Sequence, residues 1–103
     1  MTTYAVRIGL ARALELPEDR LGELRAAEGR RAAELADQGV LLRLWRTPDE
    51  PWSNLGLWDA PDEAALDGIL QTLPLYPWMR ISVMRLSEHP SDPALRSGQY
   101  QEG

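Results

Sequence analysis

An α+β fold with the order strand, helix, strand, strand, helix, strand is what this 103-residue sequence predicts, and three observations carry it. The first residues alternate apolar and other side chains at the two-residue period of a strand. Two longer segments place apolar residues at helical spacing between start and stop signals. Pro- and Gly-bearing breaks separate all these segments in a consistent order. The arrangement is the split β-α-β of ferredoxin-like folds, βαββαβ, in which both helices cover one face of a four-stranded antiparallel sheet.

In the first strand Tyr4, Val6, Ile8 and Leu10 alternate with Ala5, Arg7 and Gly9. After Leu16-Pro17, residues 18–38 are helix formers with acids in the first turn, and Gly39 stands where a left-handed cap is wanted. The stripe of this helix is Leu21, Leu24, Ala32 and Leu35. Residues 40–46, rich in Val, Leu and Trp, follow the stop as a second strand. The run Thr47-Pro48-Asp49-Glu50-Pro51 is a loop, and residues 54–59 form a third strand able to make a hairpin with the second. Pro61, as first helical residue, with Asp62 and Glu63 behind it, starts a second helix with Leu66, Ile69, Leu70 and Leu73 on its apolar side. Pro74 and Pro77 end it, and residues 81–86 are the fourth strand.

One chain of this length holds one core, so residues 1–87 are expected to be a single domain. Residues 88–103, mixed in Pro, Ser, Asp, Gly and Gln, are expected to be a tail packing on a neighbouring subunit. Alternation sends Trp45, Trp58 and Met84 to the sheet face that the helices leave open. An apolar patch of that size calls for a partner, and sheet-to-sheet packing of two copies, as in a dimeric α/β barrel, is the expected solution.

Absent residue types narrow the chemistry. There is no Cys, which excludes disulfides, thiolate nucleophiles and Cys-based metal sites. All eleven basic residues are Arg, which excludes a Schiff-base lysine. The single His89 lies in the Pro- and Ser-rich tail, away from any metal cluster or catalytic triad. A net charge of −5 with Arg spread along the chain argues against nucleic acid as partner. No apolar run is long enough to cross a bilayer, and the N-terminus lacks a signal-peptide layout, so the cytoplasm is the expected location. Any chemistry rests on carboxylates, Arg, Asn, Ser or Tyr.

Glu28 interrupts the first helix's apolar stripe, which steps through positions 21, 24, 28, 32 and 35. A carboxylate facing the sheet is desolvated, and its pKa moves toward the range of a general base. The alternative is a tether, with Glu28 tilted outward or paired with Arg31 or Arg43. Asn54 opens the third strand, either as a turn residue or as an amide donor to a developing oxyanion. Trp52 is a pocket wall or a filler beneath the loop. Arg43 and Arg46 flank Trp45; alternation puts them on opposite faces, so at most one serves a substrate carboxylate, and a surface ion pair is the other use of either. Four Trp fit core and interface, with a flavin or haem platform as the other reading.

The order of these motifs resembles the muconolactone delta-isomerase family. The likeness runs from about Leu24 to Pro93. It rests on Leu24-Arg25-Ala26-Ala27-Glu28, on Gly39 before Leu44-Trp45-Arg46, on Asn54 and Asp59, on Leu73-Pro74-Leu75-Tyr76-Pro77-Trp78-Met79, and on His89-Pro90-Ser91. The resemblance implies a cytoplasmic enzyme of aromatic compound catabolism that needs no metal or organic cofactor. It implies a homo-oligomer built from dimers, a decamer being one such assembly. It also implies that Glu28 and Asn54 are the catalytic pair, with Trp52, Arg43, Arg46 and Trp45 about the substrate, a small lactone. The chain departs from the family pattern at Trp52, where a Tyr is usual, at Gly29, where a Lys is common, and in a loop one residue longer.

Two other functions are compatible with the residues. One is a divergent relative in a secondary pathway, acting as isomerase, cyclase or cofactor-free oxidase on a polyketide-like or aromatic substrate. The other is a noncatalytic binding or assembly module, favoured if Trp52 fills the space beside Glu28.

Overall fold

The computed structural model describes residues 1–95 and shows the expected element order. Strand β1 (Thr2–Leu10) leads to helix α1 (Glu18–Asp37), strands β2 (Leu41–Arg46) and β3 (Asn54–Ala60), helix α2 (Glu63–Leu70), a short 3-10 turn (Tyr76–Trp78) and strand β4 (Met79–Leu86). The four strands form one antiparallel sheet in the order β2-β3-β1-β4.

The helix ends show why the chain turns where it does. At the end of α1, Gly39 takes φ +75°, and its N–H donates to Ala36 while Val40 N–H reaches back to Leu35, a Schellman closure. At the start of α2 the expectation needs correction. Pro61 is not the first helical residue, because Asp62 is extended and its carboxylate accepts the Ala65 N–H at 2.7 Å. An Asp acceptor satisfies an orphan N–H, which a Pro cannot, so Asp62 is the cap and Pro61 precedes it. Strand β4 also begins earlier than the periodicity suggests, at Met79, directly after the 3-10 turn.

Tyr4, Val6 and Ile8 of β1 are buried under the helices with Leu35, Leu66, Leu70 and Leu73. The register pairs Tyr4 with Trp58, Val6 with Gly56 and Ile8 with Asn54, so these β3 residues face the helices too. Trp58, expected on the open face, is therefore core and only 2% exposed. Gly56 makes room for it: a Cβ there would lie 2.6 Å from the indole Nε1 of Trp58. The complementary set, Leu55 and Leu57, faces the open side instead. Trp45 pairs with Leu55 and Met84 with Ala5, as an open-face position requires.

Among the described residues no helix is long and apolar enough to cross a membrane. Residues 88–94 are exposed. The expected packing of the tail on a neighbour falls in part on residues 96–103, outside the described residues.

Candidate active site

A cavity of about 400 Å³ opens at the end of the sheet where β1 finishes and β3 begins. Its floor includes Ile8 and Asn54; α1 contributes Arg25 and Glu28; Leu75 and Met79 close the far side; Arg46 and Trp52 stand at the mouth. Of the six residues singled out for the site, the fold brings five to this cavity: Glu28, Asn54, Trp52, Arg46 and Trp45. Arg43 is not among its lining residues. It pairs with Leu57 on the open side, and its guanidinium lies 4.6 Å from the centre of the Trp45 ring.

Glu28 is half-buried on the sheet-facing side of α1. Its Oε1 accepts the main-chain N–H of Leu75 at 2.9 Å. Neither suggested cation reaches it: Arg31 donates to Thr72 Oγ1 at 3.0 Å and lies near Glu34, and Arg43 is on Trp45. Burial therefore raises the Glu28 pKa above its ordinary value of 4.5, and the Leu75 hydrogen bond only partly opposes it.

Asn54 is not used by the turn it follows. Ser53 does that work, its hydroxyl donating to the carbonyls of Thr47 and Glu50 and contacting the Thr47 hydroxyl. The Asn54 Oδ1 is buried without a hydrogen-bond partner among the described residues. An unpaired buried polar atom costs about 1–3 kcal/mol; the oxygen only accepts, so what Asn54 can offer a ligand oxygen is its side-chain N–H.

Trp52 adopts φ +60°, the left-handed region, unusual for a bulky residue. The guanidinium of Arg25 lies 4.3 Å from its ring centre. The loop that carries Trp52 is tied down at both ends. Thr47 N–H donates to Ser53, and Glu50 forms a 2.7 Å ion pair with Arg80 of β4. Trp52 thus walls the cavity without filling the space beside Glu28. It also lines a second hollow, together with Arg25, Arg46 and Ser53.

Sequence reading passed over Arg25 and the Leu75 N–H. Arg25 is one helical turn before Glu28, on the same side, and that i, i+3 spacing was the available signal. A main-chain donor leaves no trace in side-chain patterning.

The sequence model of the muconolactone delta-isomerase family matches residues 2–92. The chain belongs to that family. The muconolactone delta-isomerase of Acinetobacter baylyi is 35% identical over 88 residues, covering 85% of this chain and 91% of that one. The muconolactone delta-isomerase of Rhodococcus opacus is 33% identical over 92 residues, covering 89% and 98%. A crystal structure of muconolactone isomerase superposes with TM-score 0.78 at 30% identity, covering 87% of this chain and 93% of that one. An antibiotic biosynthesis monooxygenase shares the fold alone, with TM-score 0.55 at 16% identity over 87% of this chain and all of that one. The muconolactone delta-isomerase family is thus where both sequence and fold place the chain, as its motifs implied.

Proposed function

We propose that this protein isomerises an unsaturated five-membered lactone of the muconolactone type, with Glu28 as the proton shuttle. The observation that carries the reading is a half-buried carboxylate, raised in pKa and with no cation partner among the described residues, in one cavity with Asn54. The names of the relatives supply the substrate class.

The ionised Glu28 takes the proton from the ring carbon that bears the side chain. The C–H electron pair moves through the ring double bond into the lactone carbonyl, giving a dienolate. The Asn54 amide N–H donates to that oxygen as negative charge develops on it. Protonated Glu28 then returns its proton to the carbon beside the carbonyl. The double bond has moved one position, and no atom is gained or lost. A positioned general base contributes about 10²- to 10⁴-fold, and a donor to the developing oxyanion about 10²- to 10³-fold. The Leu75 N–H holds Oε1 and leaves Oε2 for the substrate. Arg46, beside Asn54 in the register and at the mouth, takes the substrate's side-chain carboxylate.

A cytoplasmic homo-oligomer is the form we propose for the enzyme. The open sheet face supports the assembly, since Trp45, Leu55 and Met84 stand on it 41%, 37% and 65% exposed.

The test is ultraviolet assay of muconolactone isomerisation by wild type and Glu28→Gln side by side. Turnover by the wild type that is lost in the variant supports the reading. Equal turnover by both proteins, or none by the wild type, overturns it.

A further inference from the structure

Arg25 and Arg46 share an unusual position. Both line the cavity that holds Glu28, and both line the second hollow, as Trp52 does. Neither forms an ion pair among the described residues, whereas Arg20, Arg31 and Arg80 each have a carboxylate partner. Among the described Arg residues without an ion pair, Arg25 and Arg46 are the two that line both hollows.

The Arg25–Trp52 stack explains how such a cation is held ready. Stacking occupies the flat face of the guanidinium and leaves its in-plane N–H groups free to donate. Trp52 is in turn fixed by its left-handed backbone in a loop closed by Ser53 and anchored through Glu50 to Arg80. Arg25 is therefore set in orientation before any ligand arrives, which lowers the ordering cost of binding an anion.

From this the geometry points to Arg25 as a second carboxylate ligand: with Arg46 it forms a two-guanidinium seat lining both hollows, oriented by Trp52, that selects lactones bearing an ionised side chain over uncharged ones. The inference rests on the lactone reading above and adds to it the residue that sets specificity. The carboxylate held at the mouth directs the ring inward, toward Glu28 and Asn54.

The experiment compares muconolactone with its methyl ester, in wild type, Arg25→Gln, Arg46→Gln and Arg25→Lys. The expected result is that the wild type's ratio of kcat/KM, acid over ester, drops about 30-fold in Arg25→Gln, the loss falling in KM. Arg46→Gln drops it comparably. Arg25→Lys recovers part of the preference, because a Lys keeps the charge but not the planar fork. A ratio in Arg25→Gln within about threefold of wild type, or equal losses on acid and ester in that variant, overturns the proposal, since the latter is what a merely structural role would do. Failure of the isomerase reading is told apart by calorimetry with the saturated lactone acid and its methyl ester, which needs no turnover. Tighter binding of the acid that weakens in Arg25→Gln and Arg46→Gln upholds the seat even if no lactone is isomerised, and equal binding of acid and ester overturns it.

Discussion

Glu28 and Leu75, 47 positions apart, are joined by a single 2.9 Å hydrogen bond from the main-chain N–H of Leu75 to Oε1 of Glu28. The bond holds the carboxylate at the rim of the core, where burial raises its pKa more than the N–H lowers it. A Gln at position 28 can still accept the Leu75 N–H but cannot take a proton from carbon. Glu28→Gln is accordingly expected to lose about 10²- to 10⁴-fold in kcat and to melt no lower than wild type at neutral pH. Parallel kinetics and thermal melts check this; a variant that melts well below wild type would show Glu28 to be structural.

The same raised pKa sets two pH dependences of known sign. Catalysis needs the ionised form, so kcat/KM is expected to fall as pH drops through the Glu28 pKa, at a pH above the ordinary carboxylate value of 4.5. Stability runs the other way. Between its unfolded and raised folded pKa, Glu28 binds more proton in the native state, so its contribution to stability falls as pH rises through that window. The difference in melting temperature between Glu28→Gln and wild type is thus expected to widen with rising pH and then level off above the folded pKa. Melts across the acid range, paired with kcat/KM at the same pH values, test both signs.

Much of this was legible in the sequence, and the exceptions have physical reasons. The alternation of Tyr4, Val6 and Ile8 names the buried face of β1 because the other face holds Ala5, Arg7 and Gly9, a clear contrast. In β3 the contrast fails. Leu55 and Leu57 on one side and Gly56 and Trp58 on the other both read as apolar, and only pairing with Tyr4 and Val6 decides which side the helices cover. Glu28 stood out as a charge inside an apolar stripe. Arg25 did not, because an Arg on a helix flank looks like any solvated Arg until a distant loop brings Trp52 against it.

Asn54 carries a cost in the free protein that its removal relieves. Its Oδ1 is buried and has no partner among the described residues, so Asn54→Ala is expected to leave the melting temperature nearly unchanged or slightly higher. The same change removes the donor to the dienolate oxygen and is expected to lower kcat about 10²- to 10³-fold. Loss of stability with full activity would assign Asn54 to the strand start rather than to the reaction.

Trp52 offers a test of backbone strain that inverts the usual rank of Gly and Ala. At φ +60° any residue with a Cβ pays about 1–2 kcal/mol, and Gly does not. Both Trp52→Gly and Trp52→Ala lose the half-buried indole and its contact with Arg25, worth roughly 0.5–1 kcal/mol at an exposed site. Trp52→Gly is therefore expected to be the more stable of the two by about 1 kcal/mol, read by chemical denaturation. The opposite rank would mean that the loop relaxes out of the left-handed region once the ring is gone.

The open face of the sheet supplies the last expectation. Leu55 of β3 and Trp45 of β2 are paired across the edge, and Met84 of β4 lies on the same side beyond β1. A second copy packing there would bury each of these residues twice, once from each subunit, because a two-fold interface repeats every contact. One charge introduced at the face is then introduced as a like-charged pair of desolvated groups. Leu55→Glu and Met84→Glu are each expected to shift the assembly to a smaller species at micromolar concentration, loosening it by about 10²-fold or more, as read by light scattering on a sizing column. Both substitutions lie on the face away from Glu28, so the monomer fold, followed by far-ultraviolet dichroism, is expected to persist. A wild type that runs as a monomer, or variants that keep the wild-type mass, would show that this face serves something other than a second copy of the chain.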